Sequence, residues 1–389
     1  MKKSFAFLTF VLFLISAGAF AQISRGELAG QMNTLQTAVP FLTIAPDSRA
    51  GAMGDVGVAT SPDLNSMHWN PAKYAFLEND MGVSISYSPW LRNLVNDINL
   101  AYLTGFYRID DQQVLAGALR YFSLGEIIFT DFQGEYAGQH TPNEFAISAA
   151  YSRIFSERIS GGLAFRFIRS DLTGGTVTTG GGETRPGMSV AVDVSTYYRQ
   201  PLTLSDKDGE LSFGINISNI GDKISYTENQ EEDFIPMNLR LGTALKIDLD
   251  AYNSMTFAFD LNKLLVPTPP VFAQENPDSV LFGQNSDVGV VQGIFQSFYD
   301  APGGFQEEIN EIMYSLGMEY WYREQFAIRA GYFHEHQNKG NRKYATLGIG
   351  LKLNVFGIDF SYLVPTAGRT NPLANTMRFT LNFDLGNTN

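Results

Sequence analysis

From Met81 to the C-terminus the chain repeats one unit, a stretch of about ten residues in which apolar side chains alternate with small or polar ones. Leu239, Leu241, Leu245, Ile247 and Leu249 point one way, and Asn238, Arg240, Gly242, Lys246 and Asp248 the other. Met255, Phe257, Phe259 and Leu261 likewise oppose Thr256, Ala258, Asp260 and Asn262, and Met377, Phe379, Leu381, Phe383 and Leu385 oppose Arg378, Thr380, Asn382 and Asp384. Period two places successive side chains on opposite faces of a strand. The pattern predicts strands near 82–87, 98–107, 113–122, 145–155, 159–169, 188–198, 210–217, 238–249, 254–262, 313–321, 326–333, 344–353, 355–363 and 376–385. Alternation alone fits a sandwich as well as a barrel with lipid outside and water inside.

The connections separate the two. Those after the even strands are short, among them Ile109-Asp110-Asp111, Ser156-Glu157-Arg158, Ala251-Tyr252, Tyr322-Arg323-Glu324 and Asn354; Gln200 to Asp208 is the long exception. Those after the odd strands are mostly long, including Ser123 to Glu144, Ser170 to Gly187, Ile220 to Met237 and Asn262 to Met313. Short turns at one end and long loops at the other are expected of an outer-membrane barrel, and a sandwich has no reason to keep that order. The fold expected is all-β, a 14-stranded antiparallel transmembrane barrel over 81–389 with a long extracellular loop at 263–312. Tyr87, Trp90, Tyr107, Tyr121, Tyr151, Tyr197, Tyr198, Tyr320, Trp321 and Tyr362 fall near strand ends, where they suit interfacial aromatic girdles or are simply good strand formers.

The N-terminus agrees with export. Lys2 and Lys3, the apolar run Phe5 to Ile15 and the small residues Ser16 to Ala21 read as a signal peptide cleaved after Ala21. No later segment has eighteen uninterrupted apolar residues, so no helix is expected to span a membrane. A formal charge of −13 disfavours nucleic acid as a partner, and the absence of cysteine excludes disulfides, thiolate metal sites and a cysteine nucleophile. Residues 22–80 do not alternate and are dense in small residues, which permits close backbone packing. A barrel of this size has a lumen its own side chains cannot fill, so an N-terminal plug is the expectation, with a periplasmic linker as the alternative.

Two blocks in that region carry a resemblance. Ala45-Pro46-Asp47-Ser48-Arg49-Ala50-Gly51-Ala52-Met53-Gly54-Asp55 is followed by Asn65-Ser66-Met67-His68-Trp69-Asn70-Pro71-Ala72 just before the first strand. A small-residue stretch and an Asn-Pro-Ala resemble the FadL-type barrels, which have fourteen strands and an N-terminal hatch. The whole block, together with "ISNIGDKISY" at 217–226 and Pro236, is more similar to the PorV branch, outer-membrane components of the type IX secretion system of Bacteroidetes. The resemblance covers nearly all the mature chain. It implies a plugged barrel, with Asp47, Arg49, Gly51, Gly54, Asp55, Asn70, Pro71 and Ala72 as the plug motif. It also implies cargo recognised by a C-terminal signal domain, a giant translocon barrel as partner, delivery to a sortase-like surface attachment complex, and outer-membrane lipid around the wall. The FadL-like alternative is transport of hydrophobic small molecules, which the Ser, Gly, Thr, Asn and Arg of the inward faces disfavour.

No catalytic constellation emerges, and no cofactor or metal is expected. His68 sits beside Trp69 and reads as packing; His140 lies in a polar loop; His334 and His336 could share a face if their strand continues, but a third ligand is missing. Gly180 to Thr184 lacks the Lys-Ser/Thr of a phosphate loop.

Binding is expected in the long connection after the ninth strand, which is both long and apolar. Val291, Ile294, Phe295 and Phe298 have the spacing of a short amphipathic helix, with Leu281, Phe282 and Tyr299 nearby. Two readings stay open: the loop caps its own barrel mouth, or these seven residues anchor a partner protein. Loop 220–237 is acidic, and loop 334–343, with Lys339, Arg342 and Lys343, is mildly basic; either could steer a charged partner.

Overall fold

The computed structural model describes residues 25–386 apart from 92–96, 131–132, 175–183, 228–231, 274–275 and 367–375; the leader expected at 1–21 lies outside the described residues. Fourteen strands close into one antiparallel barrel. They are β1 (Met81–Pro89), β2 (Ile98–Asp110), β3 (Gln113–Leu124), β4 (Asn143–Ser156), β5 (Ile159–Asp171), β6 (Gly187–Leu204) and β7 (Lys207–Gly221), then β8 (Asn238–Asp248), β9 (Asn253–Leu264), β10 (Met313–Tyr322), β11 (Phe326–His334), β12 (Lys343–Leu353), β13 (Phe356–Pro365) and β14 (Met377–Leu385). Each lies where the alternation put it. β14 returns to β1, with Met81 opposite Leu385 and Tyr87 opposite Phe379, so the barrel leaves no strand edge unpaired.

The turn after β6 departs from expectation. In place of a loop from Gln200 to Asp208, β6 and β7 run on in register to Leu204 opposite Lys207, joined by Ser205-Asp206 alone. Both residues have positive φ, 47° and 67°, as a twist-matched two-residue hairpin requires. Pro201 and a Ser-Asp pair in place of Asn-Gly hid this hairpin in the sequence. With it, every connection after an even strand is short.

Leu163, Phe165, Ile328, Leu347 and Ile349 stand exposed on the outer wall, where lipid covers them. Their neighbours Thr104, Asp260, Arg329, Thr346 and Thr380 point inward and are at most 1% exposed. The parity also corrects the aromatic girdle. Tyr87, Tyr107 and Tyr121 are exposed, but Trp90, Tyr197 and Trp321 turn inward. Tyr197 shares the inner face with Ser195, donates to Ser212 Oγ at 3.0 Å and packs on Phe76. Arg378 lies 6.0 Å from the Trp90 ring and Arg329 5.3 Å from the Trp321 ring.

What buries the inner face is the chain from Val39 to Phe76, whose short helical turns Ser48–Ala52, Ser66–Trp69 and Pro71–Phe76 pack against β4, β5, β6 and β11–β14. The packing changes along the barrel axis. Near the long-loop end it is apolar: Val39, Phe41 and Leu42 meet Leu100, Phe122 and Ile168. Greasy residues on that part of the inner face correct the expectation of a uniformly polar lining. In the middle, chain meets wall at backbone distance. A Cβ on Gly331 would come within 2.0 Å of Met53, and one on Gly214 within 2.1 Å of the Val58 carbonyl oxygen, so only glycine fits either place. At the short-turn end the contacts are charged.

Candidate functional site

The motif residues of the N-terminal segment are joined to the wall one by one. Asp47 caps the Ser48–Ala52 turn, accepting from Ala50 N at 2.9 Å, and takes the Trp69 indole N–H at 2.7 Å on its other oxygen. Arg49 donates to both oxygens of Glu319 (3.0 and 2.8 Å) and to Asp63 (2.9 Å). Gly51 leaves room for the Arg378 guanidinium, whose nearest nitrogen a Cβ would approach to 2.7 Å. Gly54 N donates to Thr346 Oγ1 at 2.8 Å, and Asp55, at φ 61°, accepts from the Tyr344 hydroxyl at 2.5 Å. The Asn-Pro-Ala triplet spans three strands. Asn70 Nδ2 donates to the Thr196 carbonyl (2.9 Å), Ser152 Oγ donates to the Pro71 carbonyl (2.6 Å), and Ser160 Oγ donates to the Ala72 carbonyl (2.7 Å).

The wall residues that receive the segment were not singled out in the sequence. Asp260 accepts from the amides of Gly57 (2.8 Å) and Val58 (3.0 Å), and Arg120 donates to the carbonyls of Phe41 and Leu42. Within the segment itself Lys73, on the Pro71–Phe76 turn, is fully buried and donates to the Gly57 carbonyl at 2.8 Å. For Arg120 and Asp260 the available signal was a charged residue on the inward parity of a barrel strand. His68 is packing, as read: its ring lies between Arg120 (2.8 Å) and Arg240 (3.2 Å) and edge-on to Trp69. A neutral imidazole has one lone pair, so only one arginine can donate to it fully.

At the long-loop end, residues 265–312 form a ledge on the barrel mouth. Leu265, Val266, Val290 and Ile294 join the apolar cluster inside the mouth. A second tie is ionic. Lys263 Nζ donates to Glu311 (2.6 Å) and Glu308 (3.2 Å), and Lys339 Nζ donates to Glu307 (2.6 Å) and Glu311 (3.0 Å). All five side chains are 10% exposed or less. Asp300 adds a fourth carboxylate, accepting from Thr268 N at 3.1 Å and Gln296 Nε2 at 3.3 Å. Two lysines do not balance four acids. Burial, reinforced by Glu308 and Glu311, raises the Asp300 carboxyl from 3.8 to about 6, and burial also raises Glu308.

The seven apolar residues expected to anchor a partner divide. The helix Val290–Gln296 turns Val290 and Ile294 toward the mouth and leaves Val291 (68%) and Phe295 (67%) exposed. Phe298, Tyr299 and Leu281 are exposed as well, and Phe282 is half-buried on the small hairpin 271–282. Phe305, 80% exposed on the same connection, was missed because its flanking sequence is polar and glycine-rich. The loop thus both folds back and presents an apolar face.

The basic loop needs correction as a steering element. Lys339 is buried in the ionic tie, and Arg342 donates to both oxygens of Glu335 at 2.9 and 2.8 Å. β11 stops at His334, leaving His336 beyond the strand, and among the described residues no group of three His, Cys, Asp or Glu could hold a metal ion.

Residues 27–271 match the family described as "Type IX secretion system protein PorV". This chain belongs to the PorV family. It is therefore an outer-membrane component of the type IX secretion system, with its long loops extracellular and its short turns periplasmic. A comparison with curated proteins finds no match. Solved structures similar to this PorV-family barrel include the toluene transporter TodX of Pseudomonas putida, with 11% identity over 90% of this chain and 98% of that one and a TM-score of 0.49. A FadL homologue of Pseudomonas aeruginosa has 10% identity, coverage of 91% and 99%, and a TM-score of 0.46. The toluene transporter TbuX of Ralstonia pickettii has 9% identity, coverage of 87% and 97%, and a TM-score of 0.45.

Proposed function

We propose that this barrel is a non-catalytic docking element. Its extracellular ledge binds secreted cargo, through the cargo's C-terminal signal domain, and the translocon barrel, and it escorts cargo to the surface attachment complex. The N-terminal segment, from Gln22 to Asp80, acts as a plug that keeps the lumen closed throughout. The observation that carries this reading is the ledge itself, where Val291, Phe295, Phe298, Tyr299 and Phe305 are exposed on a loop held by buried ion pairs. Large apolar side chains on a pinned support lose little conformational entropy on binding, which favours them as anchors for a protein partner.

Replacing Val291, Phe295 and Tyr299 by serine tests it. The variant barrel should assemble in the outer membrane in normal amount but no longer purify with the translocon barrel or with cargo. Retention of both partners would overturn the reading. Transport of hydrophobic small molecules is the rival, and it requires the apolar part of the lumen to be emptied of Val39, Phe41 and Leu42.

A further inference from the structure

The periplasmic end of the lumen holds an open cavity of about 550 Å³ beneath the N-terminal segment. Its floor is a buried charge ladder: Asp63 to Arg49 (2.9 Å), Arg49 to Glu319 (2.8 Å), Glu319 to Arg329 (2.6 Å) and Arg329 to Asp359 (2.6 Å). The rim is supplied by the short-turn ends of β7, β8, β10, β12 and β14. In all, nine carboxylates face five basic side chains, an excess of four negative charges. Among the described residues Asp208, Glu210 and Glu324 on the rim have no basic partner, and Asp208 and Glu324 are exposed.

A second observation points the same way. Two buried side-chain atoms in this wall lack a hydrogen-bond partner, Asn65 Oδ1 and Asn382 Oδ1, and both are acceptors. Asn65 is only 3% exposed, and its amide oxygen would ordinarily be satisfied. The cavity therefore has a surplus of acceptors and of negative charge together, and what it lacks is a donor-rich cation. Aromatic faces in the wall suit the guanidinium group. Arg199 already lies 4.1 Å from the Phe76 ring, and Arg329 lies 5.3 Å from that of Trp321. Low-dielectric walls around a charged recess concentrate its field and attract counter-ions to it.

We propose that this vestibule is a periplasmic docking site for an arginine-rich polypeptide segment of a partner protein. The recess admits a stretch of extended chain rather than a folded domain. It lies at the opposite end of the barrel from the ledge and does not depend on the ledge's role. Guanidinium groups would pair with Asp208, Glu210 and Glu324 and stack on Trp321.

The test uses the full mature chain in nanodiscs of uncharged phosphatidylcholine and a fluorescein-labelled nona-arginine peptide read by anisotropy. The combined variant Asp208→Asn, Glu210→Gln and Glu324→Gln removes rim charge without touching the buried ladder. It should weaken binding about tenfold, the scale expected when a few complementary charges are lost, and added salt should weaken the parent in the same direction. The extracellular variant Asp222→Asn, Glu232→Gln and Asp233→Asn should bind as the parent does. Equal affinity of the rim variant and the parent would overturn the proposal, as would an equal loss in the extracellular variant. Full displacement of the peptide by spermine at matched charge would overturn the polypeptide assignment in favour of a small polycation.

Discussion

The N-terminal segment in the lumen and the ledge over the mouth bury similar chemistry to opposite ends. In the lumen close ion pairs tie the segment to the wall and the wall to itself: Glu319 lies between Arg49 and Arg329, and Asp193 pairs with Arg166 at 2.8 Å. No large apolar side chain of the segment faces outward between Val39 and Phe76. On the ledge, three acids share two lysines, a fourth, Asp300, has none, and aromatic side chains face water. Direct ion pairs and backbone contact hold one arrangement. Surplus acid and exposed apolar area leave the other responsive to pH and to partners.

The comparison breaks most forcefully at Glu319. Glu319→Ala takes the shared carboxylate from two guanidinium groups, leaving Arg49 to Asp63 and Arg329 to Asp359, and removing one member of a buried pair costs about 3–5 kcal/mol. The heat-modified gel shift of the folded barrel should fall to markedly lower temperature. Gly331→Val comes next: overpacking against Met53 costs about 1–3 kcal/mol. The same gel assay should show a smaller downward shift, and an unchanged one would deny the close approach of chain and wall.

A pH series sharpens the contrast without unfolding anything. The Asp300 carboxyl has a folded-state value raised to about 6, so its stabilising contribution is complete below the unfolded value of 3.8 and is lost as pH rises through 6. Glu308, which faces Lys263 and Glu311, is raised in the same direction by burial and adds to the trend. Hydrogen exchange in 265–312, corrected for its intrinsic pH dependence, should be faster at pH 8 than at pH 5. Asp300→Asn keeps the acceptor for Thr268 N and should flatten much of that difference. Exchange in 45–76 should not follow the trend. The smallest effect on stability is expected from Phe295→Ser, which removes an exposed side chain and should stay within about 0.5 kcal/mol of the parent by gel shift.

Legibility in the sequence followed the range of the interaction. Strand positions could be read because a lipid-facing barrel imposes its alternation residue by residue, as in Phe257, Ala258, Phe259 and Asp260. The β6–β7 hairpin was hidden because positive φ at Ser205 and Asp206 is unusual chemistry for a tight turn. Asn70, Pro71 and Ala72 stood out as a motif, yet their partners Ser152, Ser160 and Thr196 are ordinary strand residues with nothing local to mark them. Helical spacing grouped Val291, Ile294, Phe295 and Phe298 correctly in sequence but could not say which of them faces the barrel mouth.

By itself, then, the sequence determined the barrel, its strand number and its two unlike ends, because period two and the order of short and long connections are local properties of the chain. Tertiary structure alone decided which inward charges meet, where Gly214 and Gly331 let the N-terminal segment touch the wall, and which side of the ledge stays bare. Those are contacts between residues far apart along the chain. They depend on distances across a closed lumen, which no local pattern encodes.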